Sequence, residues 1–229
     1  MSAPRPHPLR SAASVAAVLA LDATLLALGL GGFDLLRRDP RALALLAIWA
    51  MAGVTLAILR PVRGQDVALS RPDPLAMLAL FFIPLVTPMI AAFGARHALY
   101  PLYAAHSIAW TGVALVAAGL ALRIAAMAQL GRRFSPFVAV QKEHVLETGG
   151  LYAFVRHPGY SGALLSCLGS ALAFGSALAL PLPAFMLVAL LARIHREEAL
   201  LAGHFGAQWQ AYAKRTGALL PRPAWPGRS

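Results

Sequence analysis

Four apolar stretches, roughly 12–33, 42–59, 75–94 and 102–130, are separated by short polar or proline-containing segments. The hydrocarbon core of a bilayer takes about 20 residues of helix, so each stretch predicts a spanning helix. A fifth apolar block runs from Tyr160 to Ile194 and is interrupted by Pro181 and Pro183. Irregular backbone at membrane depth has to be shielded by protein, so this block predicts a helical hairpin with a short second arm. Beyond it the pattern changes to HREEALLAGHFGAQWQAYAKRTGALLPRP. There Glu197, Leu201, Phe205, Trp209 and Tyr212 recur at helical spacing on one face. They predict an amphipathic helix that leaves the membrane and lies on its surface, with Trp209 and Tyr212 at headgroup level, as a lid over the 131–158 loop.

The expected fold is therefore all-α: a polytopic membrane helix bundle of four spans, a C-terminal helical hairpin and an amphipathic cytoplasmic tail helix. Arg5 and Arg10 precede the first apolar run, as in a signal peptide. That run is too long for a signal h-region and lacks a small-x-small exit, so a retained first helix is predicted. Pro84 and Pro88 are expected to kink the third span.

Composition agrees with a membrane protein. Only 13% of residues are charged and 59% are hydrophobic, where a soluble domain carries roughly 25% charged residues. The net charge of +11 would suggest nucleic acid in a soluble chain. No basic run is interleaved with exposed aromatics, and basic residues collect on the cytoplasmic side of membrane proteins, so no nucleic-acid partner is expected. Placing the N-terminus, the 60–74 loop, the 131–158 loop and the tail inside leaves only Arg37, Arg38, Arg41 and Arg96 outside. The single cysteine, Cys167, lies in an apolar segment and reads as a buried, inert thiol. It excludes disulfides within one chain and cysteine metal sites. Asp22, mid-way along the first span, should face the bundle, and His106 near the outer end of the fourth is a possible partner.

Three polar clusters carry the candidate chemistry: Gln141–Lys142–Glu143–His144, then Tyr152, Arg156, His157 and Tyr160, then Arg193, Glu197 and Glu198. A hairpin returns its ends to one place, so the second and third clusters should be neighbours. Each residue also has a plainer role. Arg193 and Glu197 can be a surface i, i+4 ion pair. Arg156 can snorkel to phosphates, and Pro158 can simply start a helix. Gly149 and Gly150 allow unusual backbone angles beside the second cluster.

The segments LGRRFSPFVAVQKEHVLETGGLYAFVRHPGYSG and RIHREEALLAGHFGAQWQAYAKRTGALLP resemble the isoprenylcysteine carboxyl methyltransferase family, over about residues 129–221. That family is similar in turn to phospholipid methyltransferases and includes bacterial relatives of broader substrate range. The resemblance rests on G-x-Y-x-x-x-R-H-P-x-Y followed by E-E-x-x-L-x-x-x-F-G-x-x-W-x-x-Y. It implies two regions: 1–100 with the first three spans, and 101–229 as a catalytic core. The core comprises the fourth helix, a cofactor loop 131–158, a hairpin 159–194 and a tail helix 195–216. It implies S-adenosylmethionine as cofactor, contacted by Gln141, His144, Val145, Leu146, Glu147, Tyr152, His157, Pro158, Gly159, Tyr160 and Glu197. Arg193 would face the substrate, and Arg193 and Glu197 would be the catalytic pair. Glu147 departs from the apolar residue usual at its position.

Methyl transfer from a sulfonium needs alignment and dryness rather than a metal, so no metal is expected. The acceptor, a lipophilic or small carboxylate, amine or thiol, could enter from the surrounding lipid. Two other readings stay open. The R-H-P-x-Y signature is shared with NADPH-dependent sterol reductases. Asp22, His106 and the kinked third span could also line a path in a non-catalytic transport or assembly protein.

Overall fold

The computed structural model describes residues 8–59, 74–102, 105–131 and 146–222. Gln141, His144 and Val145 lie outside them. Among the described residues eight helices carry the fold: α1 (Pro8–Leu30), α2 (Phe33–Arg38), α3 (Pro40–Leu59), α4 (Pro74–Arg96), α5 (Ala105–Leu130), α6 (Pro158–Leu172), α7 (Pro181–Phe205) and α8 (Ala207–Arg215). Short 3₁₀ turns fall at Gly150–Ala153 and Ala177–Ala179. Among the described residues five segments are long and apolar enough to cross a membrane: Ala12–Leu30, Pro40–Leu59, Met77–Arg96, His106–Leu130 and Ala177–Phe205. The protein is an all-α, multi-pass integral membrane bundle.

The hairpin departs from expectation in which arm is short. α6 has 15 residues, about 22 Å of helix, and does not reach across a core of about 30 Å. The second arm, α7, has 25 residues. Pro181 and Pro183 begin α7 instead of interrupting it. A proline in the first helical turn removes an N–H that has no intrahelical acceptor anyway. The tail differs too. The helix from 195 onward is the end of α7, and it stops at Gly206, whose φ of 52° and ψ of −122° turn the chain into a separate α8.

What fixes α6 in place is a seam of glycines against α5. A Cβ on Gly119 would lie 2.5 Å from the backbone of Gly162 and of Ser166. One on Gly169 would lie 2.6 Å from the Gly112 carbonyl oxygen, and one on Gly112 would be 2.7 Å from that of Gly169. Helix association in lipid depends on close packing, which small residues permit. Two glycines per helix, seven residues apart, bring these backbones together. The opposite tip of the hairpin is tied to the α4–α5 connection, where Leu102 N donates to Gly175 O at 3.0 Å and Ser176 Oγ to Leu99 O at 2.7 Å.

Two of the arginines at 37–41 have acidic partners close in sequence, Arg37 with Asp34 and Arg41 with Asp39. Asp39 caps α3, accepting from Arg41 N at 2.9 Å and Ala42 N at 3.3 Å. The Arg41 guanidinium forks onto both of its carboxylate oxygens at 3.1 and 2.7 Å. Burial raises the Asp39 pKa, but Arg41 and the cap outweigh it and hold the carboxyl below its usual range. Cys167 is buried, as expected, and its sulfur lies 3.6 Å from Thr87 Oγ1. Asp22 is half-buried and His106 exposed. They sit mid-way along α1 and at the start of α5, so the suggested pairing does not form.

Candidate active site

The site is built where α5 ends, α6 begins and α7 emerges. His157 is the residue before α6, Pro158 its first position, and Tyr160 follows half a turn later. The hairpin brings α7 back beside them. Arg193 Nε donates to the Tyr160 hydroxyl at 2.7 Å, and that hydroxyl donates to Glu197 Oε2 at 2.9 Å. Tyr160 thus links the two residues that i, i+4 spacing alone would assign to a surface pair. Arg193 is only 3% exposed, which does not suit a surface pair. The His157 ring is buried and stacks on Tyr160 with centroids 5.5 Å apart.

The adjacent glutamate does something different. Glu198 accepts from Arg156 Nε at 2.7 Å and Nη2 at 3.1 Å, a two-point fork, and its Oε1 lies 3.0 Å from His157 Nε2. A carboxylate facing Nε2 requires the proton there, which fixes that side of the imidazole. Arg156 also donates to the carbonyls of Ala213 and Thr216 and lies over the Trp209 ring. It is therefore held by protein and does not reach for lipid phosphates.

The tail braces the same segment. Arg156 N donates to Gly217 O at 2.8 Å, His157 N to Ala218 O at 3.0 Å, and Ser161 Oγ to Leu219 O at 2.6 Å. α8 packs on Leu146 through Trp209 and Tyr212, which are buried against protein and not left exposed as a surface-lying helix would leave them. The turn at Gly206 is the reason, since it redirects the apolar face of the tail onto the protein. A lid over the described part of the loop does result, as a packed layer. Tyr212 donates to Tyr152 O at 2.6 Å, and burial pushes its hydroxyl up to about 12, keeping it a neutral donor. Tyr152 is buried and donates to Ala126 O at 3.4 Å, and burial first, then Glu197, raises its pKa.

Of the predicted contacts, Leu146, Glu147, Tyr152, His157, Pro158, Gly159, Tyr160, Arg193 and Glu197 are gathered around this end of the bundle. Two further residues join them. Arg123 of α5 donates from Nη1 to Gly159 O at 3.1 Å, so a second guanidinium stands beside the Tyr160–Arg193 pair. A lone arginine inside a 25-residue apolar span was a legible signal for it. Gln129, near the end of α5, grips the Gly149–Leu151 turn, and nothing in the sequence marked it.

This arrangement defines a class: an integral membrane helix bundle with a polar, arginine- and carboxylate-lined site at the open end of a hairpin of one short and one long arm. Residues 112–203 match the model of the isoprenylcysteine carboxyl methyltransferase (ICMT) family, and the chain is ICMT-like. The protein-S-isoprenylcysteine O-methyltransferase of Schizosaccharomyces pombe is 38% identical over 106 residues, 45% of each chain. The Homo sapiens protein of that name is 34% identical over 118 residues, 48% of this chain and 40% of the relative. A probable one from Oryza sativa subsp. japonica is 33% identical over 119 residues, 50% of this chain and 61% of the relative. The matched part is thus about half of each relative. The structure of the eukaryotic intramembrane Ras methyltransferase ICMT superposes with a TM-score of 0.61 at 24% identity, over 92% of this chain and 75% of the other. That likeness concerns the fold.

Proposed function

We propose that the protein is an S-adenosylmethionine-dependent methyltransferase whose acceptor is the carboxylate of a lipophilic, S-prenylated cysteine. The observation that carries this reading is the Arg193–Tyr160–Glu197 chain, with Arg123 beside it, at the mouth of the hairpin. The relatives' names supply the acceptor class. The paired guanidiniums supply the chemistry that would hold its carboxylate, since arginine binds carboxylates with two parallel hydrogen bonds.

The residues suit the cofactor's chemistry. Glu197 offers an anion for an ammonium. The buried His157 offers a ring nitrogen, and Leu146 and Tyr152 offer apolar and aromatic surface for a base. With Glu147, Pro158, Gly159 and Tyr160 they form the described part of the proposed pocket, and Gln141, His144 and Val145 would complete it. When bound, S-adenosylmethionine supplies an electrophilic methyl on sulfur for an in-line displacement. The chain's own part is to orient the acceptor through Arg193 and Arg123 and to keep water out. A carboxylate is already ionised at neutral pH and needs no general base. Glu197 is accordingly assigned to the cofactor and to fixing Tyr160. Alignment of this kind accounts for a large share of barrier lowering in two-substrate reactions. The excess of basic residues at the site end supports a cytoplasmic orientation.

The test is calorimetry on detergent-purified protein with S-adenosylmethionine and with NADPH, followed by transfer of a labelled methyl to an S-farnesyl cysteine. Binding of S-adenosylmethionine and labelling of the free acid, but not of its amide, is expected. Stabilisation by NADPH alone would replace this reading with the reductase one.

A further inference from the structure

Gly149 leads into the 3₁₀ turn Gly150–Ala153, with Gly150 at a φ of 50°. The partner of this turn is a side chain. Gln129 Nε2 donates to Gly149 O at 2.8 Å, and Leu151 N donates to Gln129 Oε1 at 3.0 Å. One carboxamide thus meets a donor and an acceptor of the turn together, as a neighbouring strand would. A Cβ on Gly150 would lie 2.5 Å from Gln129 Oε1, so the turn can approach this closely only because position 150 is glycine. Glu147 closes the group: its Oε1 accepts from Gly149 N at 3.1 Å and from Gln129 Nε2 at 3.5 Å. One turn earlier on α5, Ala126 O accepts from Tyr152. The last turns of α5 therefore carry the whole 147–152 segment.

We propose that Gln129 is a positioning residue of the S-adenosylmethionine site, acting with Glu147 to hold the Gly149–Tyr152 turn at its working position. This rests on the methyltransferase reading. It also gives the unusual Glu147 a task, as the acceptor that completes the Gln129 clasp. Gly149 is exposed. Water can therefore replace the lost partners when Gln129 is removed, and the consequence is a loosened turn in a folded protein.

Three measurements on the full chain test it. Gln129→Ala should raise the dissociation constant and KM for S-adenosylmethionine about tenfold, the loss expected for a pair of neutral hydrogen bonds, with kcat changed less than about twofold. In the cofactor-free protein its melting temperature should stay within about 2 °C of wild type. Hydrogen exchange at the Leu151 amide should accelerate while that of α6 does not. Gln129→Glu, which sets two carboxylates against each other, should bind the cofactor more weakly still, and Glu147→Gln in the same chain should restore part of the loss. Unchanged Leu151 exchange together with unchanged cofactor affinity in Gln129→Ala overturns the proposal and leaves the methyltransferase reading standing. Failure of the wild type to bind S-adenosylmethionine overturns both. If Gln129→Ala does not fold, Gln129→Asn is measured in its place, with the same exchange and affinity criteria.

Discussion

Arg156 and Glu198 lie 42 residues of chain apart yet form a two-point fork, Nε to Oε1 at 2.7 Å and Nη2 to Oε2 at 3.1 Å, with side chains only 10% and 22% exposed. The same Oε1 meets His157. Glu198 therefore joins the start of α6 to the C-terminal third of α7, while its neighbour Glu197 turns to Tyr160. Adjacent glutamates on one helix have separate tasks.

Removing Glu198 leaves Arg156 without its carboxylate partner in a largely buried setting. Glu198→Ala should lower stability by about 2–3 kcal/mol, somewhat less than a fully buried pair because of the residual exposure. Glu197→Ala should leave the thermal transition nearly in place and abolish cofactor binding. Parallel thermal melts and binding isotherms of the two variants read the contrast. Equal losses of stability would contradict it.

Tyr160→Phe keeps the ring stacked on His157 and removes only the hydroxyl between Arg193 and Glu197. A fall in kcat/KM of about tenfold is expected, the scale of a charge-assisted hydrogen bond. Arg193→Lys should cost more, because a lysine cannot present two parallel donors to a carboxylate. Steady-state kinetics on the prenylcysteine acid decide both.

The α5–α6 seam tolerates no side chain. Gly119→Leu or Gly162→Leu would drive methyl groups into the facing backbone, which cannot yield as a flexible side chain does. A loss above the roughly 1–3 kcal/mol of ordinary overpacking is expected. Folded yield in detergent measures it, with Gly203→Ala, at an open position, as the control.

Asp39 gives a pH dependence of definite sign. Its folded pKa lies below the unfolded value because Arg41 and the cap outweigh burial. Its stabilisation is therefore full above the unfolded pKa and is lost as pH falls through the lower, folded one. Asp39→Asn should flatten the decline in melting temperature below about pH 4, the unfolded carboxylate range. Unchanged acid sensitivity would show that other carboxyls govern it.

The spans were legible because lipid imposes a length and an apolarity that sequence alone displays. The convergence of Arg193, Glu197, His157 and Tyr160 was legible as well, since any hairpin between 160 and 194 must bring its ends together. The length of each arm was not. Pro181 and Pro183 interrupt a helix or begin one depending on where the chain enters it, and only the tip packed against Leu99–Leu102 decides which. The destiny of Trp209 and Tyr212 turned on one backbone angle at Gly206.

The sequence by itself determined the membrane bundle, the end of the bundle where the candidate polar residues meet, and the residue types that gather there. Local pattern suffices for these, because each depends on neighbours in the chain or on the bilayer. Tertiary structure alone decided that Glu197 and Glu198 divide their work, that Arg123 joins Arg193, and that Gln129 holds the glycine turn. Those are contacts between distant segments. Their partners are set by how closely α5 and α6 approach at four glycines, a distance that no single segment encodes.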